Sequence, residues 1–202
     1  MAENERGRST VNVKRLVMWK QLTDDDSATT YAESAYAFTK STMSAKYTPK
    51  SETAEQYGDG IKVEDYVAKD GGSLEITLTG FKAGDGEYLF GETKTTDGVE
   101  VSGSDDVVPY QCVAYCTERP DGKLNLYKFP KVKWMPQGEN ANQKEGTKIS
   151  YGSADIKGTY SPLLSTHKDS YKRYGVDPET DKTFIENWFT QADFYTAASD
   201  GK

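Results

Sequence analysis

The chain has 202 residues, 35% of them hydrophobic and 28% charged, and a net charge of −7 at pH 7. This length is enough for one domain with its own core, and the acidic balance argues against gripping nucleic acid through its phosphates, because that mode needs a basic surface. With no apolar leader and no run of membrane-spanning length, we expect a protein made and assembled in a cytoplasm, with no membrane partner.

The first part of the chain predicts strands joined by polar connections. Residues 1–10 are expected to form a flexible leader before a strand from Val11 to Leu22. The polar segment from Thr23 to Phe38 has no sustained periodicity, and a long connection of this kind is usually functional or mobile. Residues 41–57 predict two short strands separated by Pro49-Lys50-Ser51.

Glycine-rich turns divide the next part of the chain. Gly58-Asp-Gly60 predicts a turn, and Asp70-Gly-Gly72 predicts a second one, between a strand at residues 61–67 and an alternating strand at residues 74–78. The predicted elements that follow are a single helical turn at residues 84–91 and a small hairpin at residues 93–102.

The segment from Tyr110 to Trp134 predicts a β-hairpin. Bulky or apolar residues occupy both parities of Tyr110 to Glu118, so both faces of this strand must be covered. Arg119-Pro-Asp-Gly122 supplies the turn, and Leu124 to Trp134 forms the second strand of the hairpin. The apolar parity of the return strand switches near Pro130, which predicts a bulge or bend at a sheet edge.

A similar switch of parity occurs between Lys148 and Tyr160, with Gly152-Ser153 at its centre. Two long, bent strands indicate a curved sheet or the wall of a barrel.

The pattern most typical of a helix lies near the C-terminus. Asp177 can cap the N-terminus of a helix, and Pro178 suits its first position. An apolar stripe follows at helical spacing. The stripe consists of Phe184, Ile185, Trp188 and Phe189. We predict a helix from about 178 to 190 that docks on a sheet or on a neighbouring subunit. The single domain then spans residues 11–195, and residues 196–202 are a flexible tail.

The two cysteines are predicted to be core residues. Cys112 and Cys116 lie four apart on a strand, so their Cα atoms are roughly 13 Å apart, beyond the reach of a disulfide. Their spacing is not that of a metal-binding pair, and His167 is the only histidine.

Four lysines follow one another without an acidic residue among them: Lys123, Lys128, Lys131 and Lys133. We expect solvated or edge-protecting side chains, with a binding patch as the alternative.

The chain contains no nucleophile elbow, zinc-protease motif or Walker loop. Acid pairs such as Asp105-Asp106 are expected by chance among 32 acidic residues. We therefore expect no enzymatic activity, no catalytic, cofactor-binding or metal-binding residues, and no cofactor.

Six segments, taken in order, carry a resemblance to a known family. They are residues 13–23, 51–60, 72–80, the hairpin 110–134 with its central Phe129-Pro130-Lys131, 148–162 and 186–189. In this order they resemble the major tail tube proteins of siphophages that infect Gram-positive bacteria, over most of residues 11–190.

The resemblance implies a mainly β fold: a β-sandwich or half-barrel of the phage tail-tube type with one flanking C-terminal α-helix and long loops. It implies copies that join edge to edge in hexameric rings and stack into the tube of a virion tail, assembled in the cytoplasm of a bacterial host. The implied partners are further copies of the chain, the tape-measure protein in the lumen, tail terminator and distal tail proteins, and DNA only in passage.

From this reading we expect residues 23–38 to become ordered between stacked rings. We also expect the lumen to be net negative, with Glu52, Glu55, Glu75 and Asp155 as candidate lumen acids, and the lysine cluster to lie outside or at a ring interface. The alternative is a monomeric carbohydrate- or ligand-binding β-sandwich module, which the tyrosine and tryptophan content supports.

Overall fold

The computed structural model describes residues 9–38, 41–59, 61–142 and 151–195, so most of the predicted leader and the whole predicted tail lie outside the described residues. The described strands are β1 Asn12–Asp24, β2 Thr29–Tyr31, β3 Tyr36–Phe38, β4 Thr42–Gly58, β5 Ile61–Leu78, β6 Thr93–Lys94, β7 Glu100–Val101, β8 Tyr110–Glu118, β9 Leu124–Met135, β10 Glu139–Asn140, β11 Ser153–Tyr160 and β12 Tyr171–Val176. The helices are α1 Asp85–Phe90 and α2 Lys182–Thr190. The prediction of a mainly β fold with a C-terminal helix is confirmed.

One large antiparallel sheet forms the body of the molecule. Its strand order is β2-β1-β8-β9-β11-β5-β4, with β3 paired to β1, β10 to β11 and β12 to β9, while β6 and β7 form a separate hairpin. Strands β1 and β4 lie near opposite ends of this order, yet they contact each other. The sheet is therefore curved into a half-barrel with a seam between β1 and β4.

The concave side of the curved sheet holds the larger hydrophobic core. Strands β1, β3, β5, β8, β9 and β11 all contribute to it, and Leu89 and Phe90 of α1 close it. The buried Gln111 is satisfied there, since it accepts a hydrogen bond from Trp134 Nε1 at 2.9 Å and donates one to the Tyr88 carbonyl at 2.7 Å. A buried polar group with both bonds made costs little stability.

Strand β8 is covered on both faces, as its two-sided sequence predicts. Val113 and Tyr115 lie in the concave core, whereas Cys112, Ala114 and Cys116 lie in a second core. That second core sits beneath α2, whose buried residues are Ile185, Trp188 and Phe189. The helix thus docks on its own sheet, one of the two positions that the sequence left open.

The β8–β9 hairpin and its bulge are confirmed, but the predicted edge position of Pro130 is wrong. The register between the strands shifts between Gln111 and Val113, opposite Pro130. Strand β9 pairs with β12 before this point and with β11 after it. Pro130 therefore lies where one partner strand gives way to the next, so its missing N–H removes no ladder bond.

The largest correction concerns β4 and β5, which are two long continuous strands. The predicted break at Pro49-Lys50-Ser51 is a register shift inside β4, and the predicted turn at Asp70-Gly-Gly72 lies inside β5. Gly71 has φ +60°, and a Cβ there would lie 1.9 Å from the Tyr160 carbonyl oxygen. The same residues suit a turn or a bulge, and pairing with β4 on both sides selects the bulge. The predicted turn at residues 58–60 is confirmed, since β4 ends at Gly58 and β5 begins at Ile61.

The segment Thr23–Phe38 is also more regular than expected, because β2 and β3 both pair with β1. Its polar residues stabilise a tight turn, in which Asp25 Oδ1 accepts hydrogen bonds from the backbone N–H groups of Ser27 and Ala28, each at 2.9 Å. A polar segment without periodicity can still pair when an adjacent strand offers unpaired backbone groups.

Two further boundaries differ from the sequence-based expectations. Helix α2 begins at Lys182, because the Asp177 carboxylate accepts the Glu179 N–H at 2.9 Å and closes a separate turn first. Strand β11 runs regularly from Ser153, and residues 148–150, where the switch of parity was predicted to begin, lie outside the described residues.

Candidate functional site: the arm and the seam cleft

The outer half of the β4–β5 hairpin projects from the body, and we call residues 51–70 the arm. Strand pairing continues along it from Ser51↔Lys69 to Gly58↔Ile61. Every arm residue whose exposure is described is exposed, whereas all residues of β5 from Gly71 onward are buried or half-buried. Eight residues of β4 and ten of β5 give a projection of roughly 30 Å. The arm is therefore a two-stranded ribbon with both faces in contact with solvent.

The arm carries five large apolar or aromatic side chains that are 53–71% exposed: Tyr57, Ile61, Val63, Tyr66 and Val67. Val67 pairs with Thr53 and the adjacent Tyr66 pairs with Ala54, so alternation places apolar groups on both faces. A two-stranded hairpin without further cover is marginally stable in water. Exposed apolar groups concentrated on such an element mark an interaction surface.

The arm is also strongly acidic. Its six acidic residues are Glu52, Glu55, Asp59, Glu64, Asp65 and Asp70, and its basic residues are Lys62 and Lys69, which gives a net charge of −4. Lys62 Nζ lies 2.7 Å from Glu55 Oε1 and 3.0 Å from Asp65 Oδ2. The bonds from Lys62 and Tyr57 lower the pKa of Glu55. The remaining acids favour a basic partner surface.

The seam between β1 and β4 contains an apolar cleft of about 470 Å³, which we call the seam cleft. Its lining residues are Val13, Lys14, Arg15, Leu16, Val17, Ala37, Phe38, Thr42 and Phe189. The β1–β8 register shifts between Lys14 and Val17, and Arg15 has φ +54° within this irregularity. The Arg15 guanidinium lies 5.7 Å from the Phe189 ring centroid. The cleft is thus an apolar slot with basic residues in its wall.

Both the arm and the seam cleft have a strand edge without a partner strand among the residues that the structure describes. Strand β3 pairs with β1 only at Leu16–Met18, and β4 pairs with β5 alone, among the residues that the structure describes. Residues 12–15 of β1 and the outer edge of β4 therefore present unpaired backbone groups, which can accept another strand.

The predicted lumen acids do not form one group. Glu52 and Glu55 belong to the arm, while Glu75 and Asp155 lie on the body, on β5 and β11. Glu75 stands in register between Lys46 of β4 and Lys157 of β11, and such cross-strand pairs offset its charge.

Asp155 accepts a hydrogen bond from the Thr77 hydroxyl at 2.8 Å. The arm, rather than the body of the sheet, therefore carries the concentrated negative charge.

The prediction that the lysine cluster is solvated is wrong for Lys128, which is fully buried. Its ammonium donates to the Gln191 carbonyl at 2.7 Å and to the Ala192 and Phe194 carbonyls at 3.4 and 3.3 Å. The ring centroids of Trp19, Trp188 and Phe194 lie 5.1–5.9 Å from it. Burial lowers the pKa of Lys128 to about 8. Through these hydrogen bonds, Lys128 holds the segment after α2 against strand β9 of the sheet.

Lys131 pairs with Asp24 at 2.5 Å, and Lys131 and Lys133 both lie 5.1 Å from the Tyr110 ring centroid. Lys133 is exposed, as expected. The lysines therefore do not act as one patch, because strand alternation places Lys128 beneath α2 but places Lys131 and Lys133 near Tyr110.

Both cysteines are free and buried in the core, as predicted. Burial raises the pKa of Cys112 to about 12 and that of Cys116 to about 11. Thiols in this state are poor nucleophiles at neutral pH.

Within the described ranges, no three His, Cys, Asp or Glu side chains are grouped so as to hold a metal ion. None of the described helices has the length and apolar character needed to cross a membrane. No family model matches the chain, and no curated protein matches it in sequence.

Sequence reasoning missed the arm because it placed a turn at Asp70-Gly-Gly72. The available signal was the length of the two strand-like stretches that flank Gly58-Asp-Gly60 symmetrically. In both stretches, residues that favour β-strands continue past the part of the chain that forms the body of the sheet and into the arm.

Proposed function

We propose that the protein is a structural virion protein that self-assembles into stacked hexameric rings, which form the tail tube of a phage and the conduit for DNA ejection. The observation that carries this proposal is the arm, an uncovered hairpin with five exposed apolar or aromatic side chains and a net charge of −4. The order of the segments that resemble tail tube proteins supports the ring and the tube as its assembly.

Burial of the exposed apolar side chains of the arm would favour association with a partner. Full burial of an apolar side chain of this size yields about 1.5–3 kcal/mol. Five of them supply on the order of 10 kcal/mol, which is comparable to the cost of fixing two proteins relative to each other. A contact repeated at every copy therefore has enough apolar surface to hold an assembly together.

The rest of the subunit supports assembly from folded building blocks. The two cores lie within one chain, so the body can fold before it associates. The outer edge of β4 then offers a template for pairing between neighbouring copies. Further copies of the chain are the main partners, with the tape-measure protein in the lumen and tail terminator and distal tail proteins as the other tail components.

The proposed role treats DNA as cargo in passage. The arm has a net charge of −4, and Glu75 stands between two lysines, so neither surface has the excess of basic side chains that phosphate binding needs. The proposed location is the virion tail.

Sedimentation and negative-stain microscopy of the full chain at high concentration test the proposal. We expect rings or tubes from the wild type, and no tubes after residues 51–70 are replaced by a two-residue Asn-Gly turn. Tyr151→Ser, which changes an 85% exposed tyrosine outside the arm, is the matched control and should assemble normally.

A compact monomer at every concentration, with or without tail initiator proteins, would contradict the proposal. That result would favour the monomeric carbohydrate- or ligand-binding module.

A further inference from the structure

We propose that the arm of one copy docks in the seam cleft of a second copy. This inference rests on the proposed self-assembly and names the surface that receives the arm. The occupant is therefore a second copy of this chain, and the contact joins two different surfaces.

The cleft has the size and lining that the arm needs. Its volume of about 470 Å³ lies in the range of about 300–1,000 Å³ that accommodates small ligands or a few side chains. Val13, Leu16, Phe38 and Phe189 supply apolar walls for the exposed arm side chains. The arm of the same copy leaves the cleft open, since all of its described side chains remain exposed.

Charge complementarity identifies the arm as the occupant. Two of the nine residues that line the cleft, Lys14 and Arg15, are basic, and none is acidic. Lys14 is paired with Glu118 at 2.8 Å, which leaves Arg15 as the cation in the cleft wall that meets the acidic arm. Opposite charges on the two surfaces steer their encounter and set their orientation.

The backbone adds a second form of complementarity. Residues 12–15 of β1 have an open edge at the cleft, and the β4 strand of the arm has an open outer edge. Pairing between these edges would add main-chain hydrogen bonds to the side-chain contact.

Because the arm and the cleft are different surfaces, each copy can donate to one neighbour and receive from another. A contact of this heterologous kind propagates from copy to copy without closing on two subunits. Such a contact can join neighbours within a ring or copies in successive rings.

Two complementary variants test the docking. The arm-less variant, with residues 51–70 replaced by Asn-Gly, keeps the cleft. The Ala37→Trp variant keeps the arm and fills the cleft, and it should fold because Ala37 is exposed. Ala35→Trp, two residues away and also exposed, leaves the cleft open and is the matched control.

We expect each defective variant to stop at a single ring or a smaller species, whereas the Ala35→Trp control assembles like the wild type. Mixing the two defective variants should give a species of twice the mass and no tubes, measured by sedimentation velocity. Ala37→Trp should weaken self-association by at least tenfold.

Disulfide trapping locates the contact. Copies carrying Gln56→Cys on the arm should cross-link to copies carrying Ala37→Cys and not to copies carrying Ala35→Cys. The native thiols are buried and should not compete.

The outcomes separate the two proposals. Normal tubes from Ala37→Trp, or cross-links only between two Gln56→Cys arms, would overturn the docking and leave self-assembly standing. A wild-type chain that never associates would instead overturn the proposed function.

Discussion

Replacing Lys128 with methionine should change how the stability of the protein depends on pH. The ammonium is fully buried against three carbonyls and three aromatic rings, and its pKa falls from 10.5 to about 8. Between those two values the folded protein binds fewer protons at this lysine than the unfolded chain does. The free energy of unfolding contributed by Lys128 should therefore rise with pH from about 8 to about 10.5.

The magnitude follows from the size of the pKa shift. One pKa unit corresponds to about 1.4 kcal/mol, so the full shift amounts to about 3 kcal/mol. The unfolding free energy of the wild type minus that of Lys128→Met should increase by up to this amount across the window. Below pH 8 the difference should be constant, because the ammonium is charged in both the folded and the unfolded state.

The assay is urea unfolding at pH 7, 8, 9 and 10, followed by tryptophan fluorescence, since Trp19 and Trp188 flank the ammonium. Subtracting the variant from the wild type removes the contributions of tyrosines and cysteines that titrate in the same range. Lys133→Met, at an exposed position on the same strand, is the matched control. A pH-independent difference for Lys128→Met would refute a desolvated ammonium at this position.

Three further predictions follow from the cores and the charge distribution. Trp188→Ala should destabilise the subunit by about 3–5 kcal/mol in thermal or urea unfolding, because Trp188 is 2% exposed and anchors α2; an unchanged melting temperature would contradict this core role. Replacing Cys112 and Cys116 together by alanine should cost about 1–3 kcal/mol and preserve assembly, and an intrachain disulfide found by mass spectrometry would contradict the strand geometry. If the chain forms the proposed tube, wild-type assemblies should bind DNA weakly in mobility-shift assays, and lysine replacements of the acids proposed to face its lumen should leave tubes intact but impair DNA delivery; tight binding with a steep salt dependence would count against the proposed acidic conduit.

The charge of the arm bears on the selectivity of the proposed docking. The exposed apolar groups of the arm are interspersed with six acids, and charges on an edge oppose indiscriminate strand pairing. In the proposed assembly, the Arg15 side chain in the cleft of another copy would meet this acidic surface, which would make recognition selective.

The sequence by itself determined the elements whose cues are local. The turn residues after Glu118 defined the β8–β9 hairpin, and the two-sided composition of β8 required cover on both faces. The helical spacing of Ile185, Trp188 and Phe189 defined the stripe of α2. Each of these features depends on the conformational preferences and periodicity of adjacent residues, which are readable without knowing the partner.

Only the tertiary structure decided the features that depend on distant segments. In sequence Lys128 looks like the other lysines near it, but the carbonyls and rings that contact it come from β1, from α2 and from the chain after α2. Gly71 belongs to a bulge because β4 pairs with β5 on both sides of it, and the same residues would suit a turn. The seam cleft exists because the sheet curves until β1 meets β4. Burial, register and closure are set by which segments meet across the fold, so no local pattern encodes them.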